Sequence, residues 1–142
     1  LGLVSSVKPI RVCLDANGWS AALNEEADKD LHAIERWFSL ASQRQCRIVV
    51  PTLIILEVSA MPDAAKVAKF QAIIRRPEFE IIDLSSTIAM AAGVLRRNLI
   101  NANKRDGNTK TLKTPDAIVV VSANSANCDY LLTDDTGVHK LS

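Results

Sequence analysis

The chain has 142 residues, 48% of them hydrophobic and 23% charged, which is an ordinary globular composition and excludes a disordered or fibrous protein. Seventeen Lys and Arg against sixteen Asp and Glu leave a net charge of +1, which excludes binding through bulk charge. A nucleic-acid partner would need a local patch instead.

The three cysteines, Cys13, Cys46 and Cys128, are widely spaced and form no C-x-x-C, so they point to a reducing, cytoplasmic compartment and not to zinc. Residues 1–9 lack the charged start and long apolar run of a secretion signal and read as an N-terminal extension or expression remnant. Residues 10–142 are expected to be one domain. No stretch approaches the run of about 20 apolar residues that a membrane span needs.

Apolar runs of strand length alternate with longer helical stretches. Ile10 to Leu14, short and branched after Pro9, is expected as a strand, and Leu31, Ile34, Phe38 and Ala41 recur at helical spacing across Ala27 to Gln43. Arg47 to Val50 is expected as a second strand. Thr52 is placed to cap a helix running to about Met61, before Pro62, and Ala64 to Arg75 is another helix, ended by Pro77. Phe79 to Leu84 alternates as a third strand. Ser85 or Ser86 caps a helix to about Asn101, followed by a polar loop containing Gly107. Thr114-Pro115-Asp116 combines a hydroxyl cap, a proline at the first position and an acid in the first turn, which predicts a helix to about Ala126. Tyr130 to Thr133 is the fourth strand. This alternation predicts an α/β fold with an open parallel sheet covered on both faces, and such sheets bind ligands at the carboxyl ends of their strands.

Glu25, Glu26, Asp28, Asp30 and Glu35 read as a solvated helix face, and His32 and His139 as surface residues. Four other acidic positions differ. Asp15 ends the apolar strand VCL, Asp116 opens an apolar helix, and Asp134-Asp135 ends the strand YLLT. Glu57 lies within LIILEVSAM, where a carboxylate must be compensated, protonated or open into a cleft. Each aspartate has a plain alternative: a cap at Asp15, a helix-dipole acid at Asp116, a turn at Asp134-Asp135. Their shared location at strand ends and first turns favours one site. Gathered carboxylates raise each other's pKa, and a hard divalent cation such as Mg²⁺ or Mn²⁺ relieves this while activating water and neutralising phosphodiester charge.

With VCLDANG, the Glu of PTLIILEVSAM, and TPDAIVVVSANSANCDYLLTDD in this order, the chain resembles a PIN-domain ribonuclease over about residues 10 to 142, most of all the VapC-type toxins of bacterial toxin-antitoxin pairs. The resemblance implies a three-layer PIN-like fold with a central parallel sheet of four to five strands flanked by helices. It also implies an acidic pocket for Mg²⁺ or Mn²⁺, cleavage of RNA, an antitoxin protein partner and a homodimer. On the matching positions, Asp15, Glu57, Asp116 and Asp135 are the implied catalytic acids, with Asp134 a further metal-ligand candidate and Asn17 and Thr133 in support. The chain carries Asp at 134 where the family often has Asn, and Val138 where it usually has Phe.

Six basic residues, Arg96, Arg97, Lys104, Arg105, Lys110 and Lys113, precede Asp116 with Asp106 as the one acid among them, and read as an arm for RNA phosphates. Trp19, Trp37, Phe38, Phe70, Phe79 and Tyr130 sit at core spacing, so no base-stacking platform is expected. The expected function is a metal-dependent endoribonuclease. The alternative is a catalytically silent PIN-like scaffold that binds RNA or a protein.

Overall fold

The structure is a computed structural model that describes residues 8–24, 29–107, 113–133 and 137–140. Residues 1–7 of the expected extension 1–9, and Glu25, Glu26, Asp28, Lys110, Asp134 and Asp135, lie outside the described residues. For His32, Thr133, Val138 and His139 the backbone alone is described.

The elements run β1 (Ile10–Leu14), α1 (Ala16–Asn24), α2 (Lys29–Ser42), β2 (Cys46–Pro51), α3 (Thr52–Ser59), α4 (Ala64–Ile74), β3 (Phe79–Ile82), α5 (Ser86–Asp106), α6 (Thr114–Ser125), β4 (Tyr130–Thr133) and β5 (Gly137–Lys140). One five-stranded sheet has the order β3-β2-β1-β4-β5. The first four strands are parallel, as expected, and β5 pairs antiparallel with β4. Val12, Cys13 and Leu14 of central β1 and Ile48, Val49 and Val50 of β2 have no exposed surface. Burial on both faces explains why these strands read as unbroken apolar runs.

Some expected boundaries move. The helix expected from Ala27 is present as α2, and a separate helix for which no range was assigned, α1, precedes it and begins directly after Asp15. Gly18 weakens that helix by about 1 kcal/mol relative to Ala, and this is offset by burying Trp19, Ala21 and Leu23. Trp19 packs at 5.4, 4.9 and 5.8 Å between ring centroids from Phe38, Phe70 and Phe79. That cluster ties α1, α2, α4 and β3 together beside the sheet.

The cap expected at Thr52 is not formed: Pro51 occupies the N-cap position without a side-chain bond, and Thr52 Oγ1 instead accepts from Leu84 N–H at 3.0 Å. Lys113 likewise precedes α6, which shifts Thr114 inside the helix and puts Asp116 at its third position. Ser85 caps α5 by accepting from Ile88 N–H at 3.1 Å. The α5 helix continues past Asn101 to Asp106 and ends at Gly107, whose φ of 70° is the left-handed conformation glycine adopts freely.

At the amino edge of the sheet, Glu80 of β3 accepts from Arg11 Nη2 at 2.7 Å and Arg47 Nε at 3.4 Å, while Arg11 Nε donates to Ala126 O at 2.7 Å. One cation thus joins β1, β3 and the end of α6. Cavities of about 390 and 880 Å³ lie at this same edge, lined by Arg44, Cys46 and Arg47 and by Lys8, Arg11 and Asp129 respectively.

Trp19 is fully buried, and its Nε1 has no hydrogen-bond partner among the described residues. Trp19→Ala is expected to cost about 3–5 kcal/mol in denaturant unfolding. Trp19→Phe is expected to cost clearly less, because it keeps most of the ring contacts and removes a buried N–H that is desolvated without compensation.

Candidate active site

Asp15 is the first residue beyond the central strand. Its backbone N–H extends the β1–β4 ladder by donating to Leu132 O at 3.1 Å, and its carbonyl accepts from Trp19 N–H at 3.2 Å. Its carboxylate Oδ1 accepts from Gly18 N–H at 2.8 Å, which makes Asp15 the N-cap of α1. The capping and functional readings of Asp15 therefore describe one geometry. The cap fixes the rotamer of a half-buried carboxylate at the carboxyl edge of the sheet. The Asp-x-x-Gly spacing in the sequence carried this signal.

Glu57 sits on α3 between the buried face formed by Ile54 and Val58 and the exposed Leu56. The helix is apolar, yet Glu57 is half-buried. Burial pushes its carboxyl above the ordinary value of 4.5, and the charges of Asp116 and then Asp15 add to the rise. Asp15 at the end of β1 and Asp116 in α6 thus both lie within electrostatic reach of Glu57 on α3. Asp116 is exposed in the first turn of α6. The fold brings α6 there by packing it against both α3 and α5.

Among the described residues no three His, Cys, Asp or Glu side chains stand close enough together to hold one metal ion directly. The donor set of Asp15, Glu57 and Asp116 is nevertheless all oxygen, negative and mutually repelling. It fits a hard cation that keeps several waters between itself and its protein ligands. Asn17 is exposed in the first turn of α1, on the side of the sheet edge where Asp15 lies. Neither large cavity includes the three acids.

The basic segment is helical where a loop was expected, since α5 runs to Asp106 and includes Lys104 and Arg105. Arg97, Lys104, Arg105 and Lys113 are exposed, and Arg96 is half-buried. Among the described residues no helix is long and apolar enough to cross a membrane.

Comparison with solved structures returns the same fold. The VapBC2 complex of Rickettsia felis bound to a DNA fragment from its promoter is 19% identical with a TM-score of 0.61, covering 89% of this chain and 88% of that one. A toxin-antitoxin complex from Klebsiella pneumoniae is 20% identical with a TM-score of 0.61, covering 88% and 87%. VapC20 of Mycobacterium tuberculosis, a Sarcin-Ricin loop cleaving toxin, is 12% identical with a TM-score of 0.64, covering 88% and 90%. No curated protein matches the sequence. The PIN domain family matches residues 12–142, which takes in all three carboxylates, the sheet and all six helices. By that match the chain belongs to the PIN-domain family.

Proposed function

We propose that the protein is a metal-dependent endoribonuclease, acting in the cytoplasm as the toxin of a toxin-antitoxin pair. The observation that carries this reading is the coupling of Glu57 to Asp116 and Asp15 at the carboxyl edge of the central strand. A PIN fold without nuclease chemistry has no need to set carboxylates from two other elements near a half-buried glutamate against their repulsion.

In this reading Asp15, Glu57 and Asp116, with Asp135 or Asp134 and the hydroxyl of Thr133, hold Mg²⁺ or Mn²⁺ directly or through water. When bound, the ion supplies charge neutralisation at the phosphodiester and an activated water. Asp15 keeps its orientation because Gly18 N–H holds one carboxylate oxygen. Glu57, raised in pKa by burial and its neighbours, accepts a proton more readily than a solvated glutamate and is suited to take one from water at the phosphorus. Asn17 supports the Asp15 end of the site. Likeness to two toxin-antitoxin complexes supports a protein antitoxin as partner.

A homodimer is supported by apolar surface on α5 and α3: Met90 is 67% exposed, Val94 one turn later is 44% exposed, and Leu56 is 65% exposed. The second reading is a PIN scaffold that binds RNA or protein without cutting it. The cleavage assay separates the two.

RNA cleavage by the wild-type chain is expected in Mg²⁺ or Mn²⁺ and not in EDTA. Asp15→Asn and Asp116→Asn are each expected to lower the rate at least about 100-fold with the circular dichroism unchanged. Cleavage at the wild-type rate by both variants excludes the nuclease reading. In ultracentrifugation, Met90→Glu is expected to shift the wild-type dimer to monomer, and a monomeric wild type excludes the dimer.

The pH dependence has a definite sign. Folding raises the pKa of Glu57, so the stability linked to its proton is full below the unfolded value and is lost as pH rises through the folded one. Metal-free Glu57→Gln is therefore expected to melt above the wild type at pH 7, with the difference shrinking toward pH 4.

A further inference from the structure

The outer face of α5 carries cations that the carboxylate cleft does not use. Ile88 and Ala92 are the buried residues of this helix. Opposite them, Arg97, Asn101, Lys104 and Arg105 follow the i, i+4, i+7, i+8 spacing of one stripe, and all four are exposed. Arg97, Lys104 and Arg105 make no ion pair among the described residues, whereas Arg11, Arg47 and Lys66 are each paired with an acid. Half-buried Arg96 lies off the stripe and has its own interaction.

The stripe is also aimed. The α5 and α6 helices pack together, and the chain passes from the basic end of α5 to the start of α6 across residues 107–113, a connection that favours an antiparallel pair. The basic end of α5 therefore stands beside the start of α6, where Lys113 is followed by Asp116. A phosphate chain approaching three carboxylates is repelled by them and needs attraction from adjacent surface. Arg97 to Lys104 spans roughly 10 Å along a helix axis, the axial length of about three phosphates on one strand. Because α5 is helical here, these charges keep a fixed register to Asp116.

We propose that the outer face of the carboxyl-terminal half of α5 is a rail for the RNA backbone, with Arg97, Lys104 and Arg105 contacting phosphates that lead into the cleft. The inference rests on the RNA-hydrolase reading and gives it a direction of substrate approach. Contacts to phosphate alone make the rail insensitive to sequence, so it sets affinity and register and leaves target choice to other surfaces.

The test measures binding without cleavage. A fluorescently labelled 20-nucleotide single-stranded RNA is titrated with the full chain in EDTA by anisotropy, across a series of NaCl concentrations. Removing three contacts in Arg97→Gln/Lys104→Gln/Arg105→Gln is expected to lower the slope of log K against log salt by about 2, and to weaken binding roughly 100-fold at 0.1 M salt. Arg97→Lys/Arg105→Lys, which keeps the charge, is expected to retain the slope. An unchanged slope in the triple variant with unchanged circular dichroism overturns the rail, and so does failure of the wild type to bind RNA at low salt. Loss of an acidic protein partner from the triple variant with RNA binding intact also overturns it and gives the face to that partner. Because no cleavage is read, an inactive but RNA-binding chain fails the nuclease reading while the rail stands.

Discussion

The repulsion among Asp15, Glu57 and Asp116 is the constraint around which the rest of the molecule is arranged. Each carboxylate alone has a stable local setting: a helix cap, a partly exposed helix face and a helix N-terminus. Together they disfavour charge on Glu57, whose pKa is raised first by burial and then by Asp116 and Asp15. A protein holds such a group only where a rigid frame fixes it, and where a cation or a polyanion neutralised by a cation completes it.

The frame is the parallel sheet. β1 is central and without exposed surface at Val12, Cys13 and Leu14, so the position of Asp15 follows from strand pairing on both sides. At the other end of β1, Arg11 bonds to Glu80 and to the carbonyl that ends α6. The strand and helix that present Asp15 and Asp116 at one edge are thus also joined at the opposite edge. These ion pairs are partly exposed and contribute little energy singly. Their value lies in register. On the far side, the Trp19 cluster anchors α1, whose first turn in turn holds the Asp15 carboxylate.

Much of this was legible in the sequence, for identifiable reasons. Parallel strands buried on both faces show as continuous apolar runs, which is why β1 and β4 were expected at the residues where they occur. Glu57 stood out because a carboxylate inside an apolar helix has no ordinary explanation. The α1 helix was hidden because Ala16-Asn17-Gly18 is poor helix-forming sequence, and tertiary burial of Trp19 outweighs that propensity. Thr52 looked like a cap because hydroxyl residues favour helix starts, but its hydroxyl is taken by Leu84 N–H from a distant segment, which no local pattern reveals. The length of α5 was underestimated because its last turns are polar. Its outward periodicity becomes visible once its buried residues are known. β5 has four residues and pairs with the strand before it, too short a run for alternation to mark.

Within a nearly neutral chain, three acids thus stand at the carboxyl edge of the sheet and three cations along the outer face of α5. If carboxylate crowding is held for the sake of a divalent cation, the ion must bind where the crowding is. Calorimetric titration of Mn²⁺ into the chain at pH 7 tests this most directly. Saturable binding that is lost in Asp15→Asn and in Asp116→Asn, with both variants folded, is the predicted result. Equal heats from the wild type and both variants, or no binding at millimolar Mn²⁺, would contradict it.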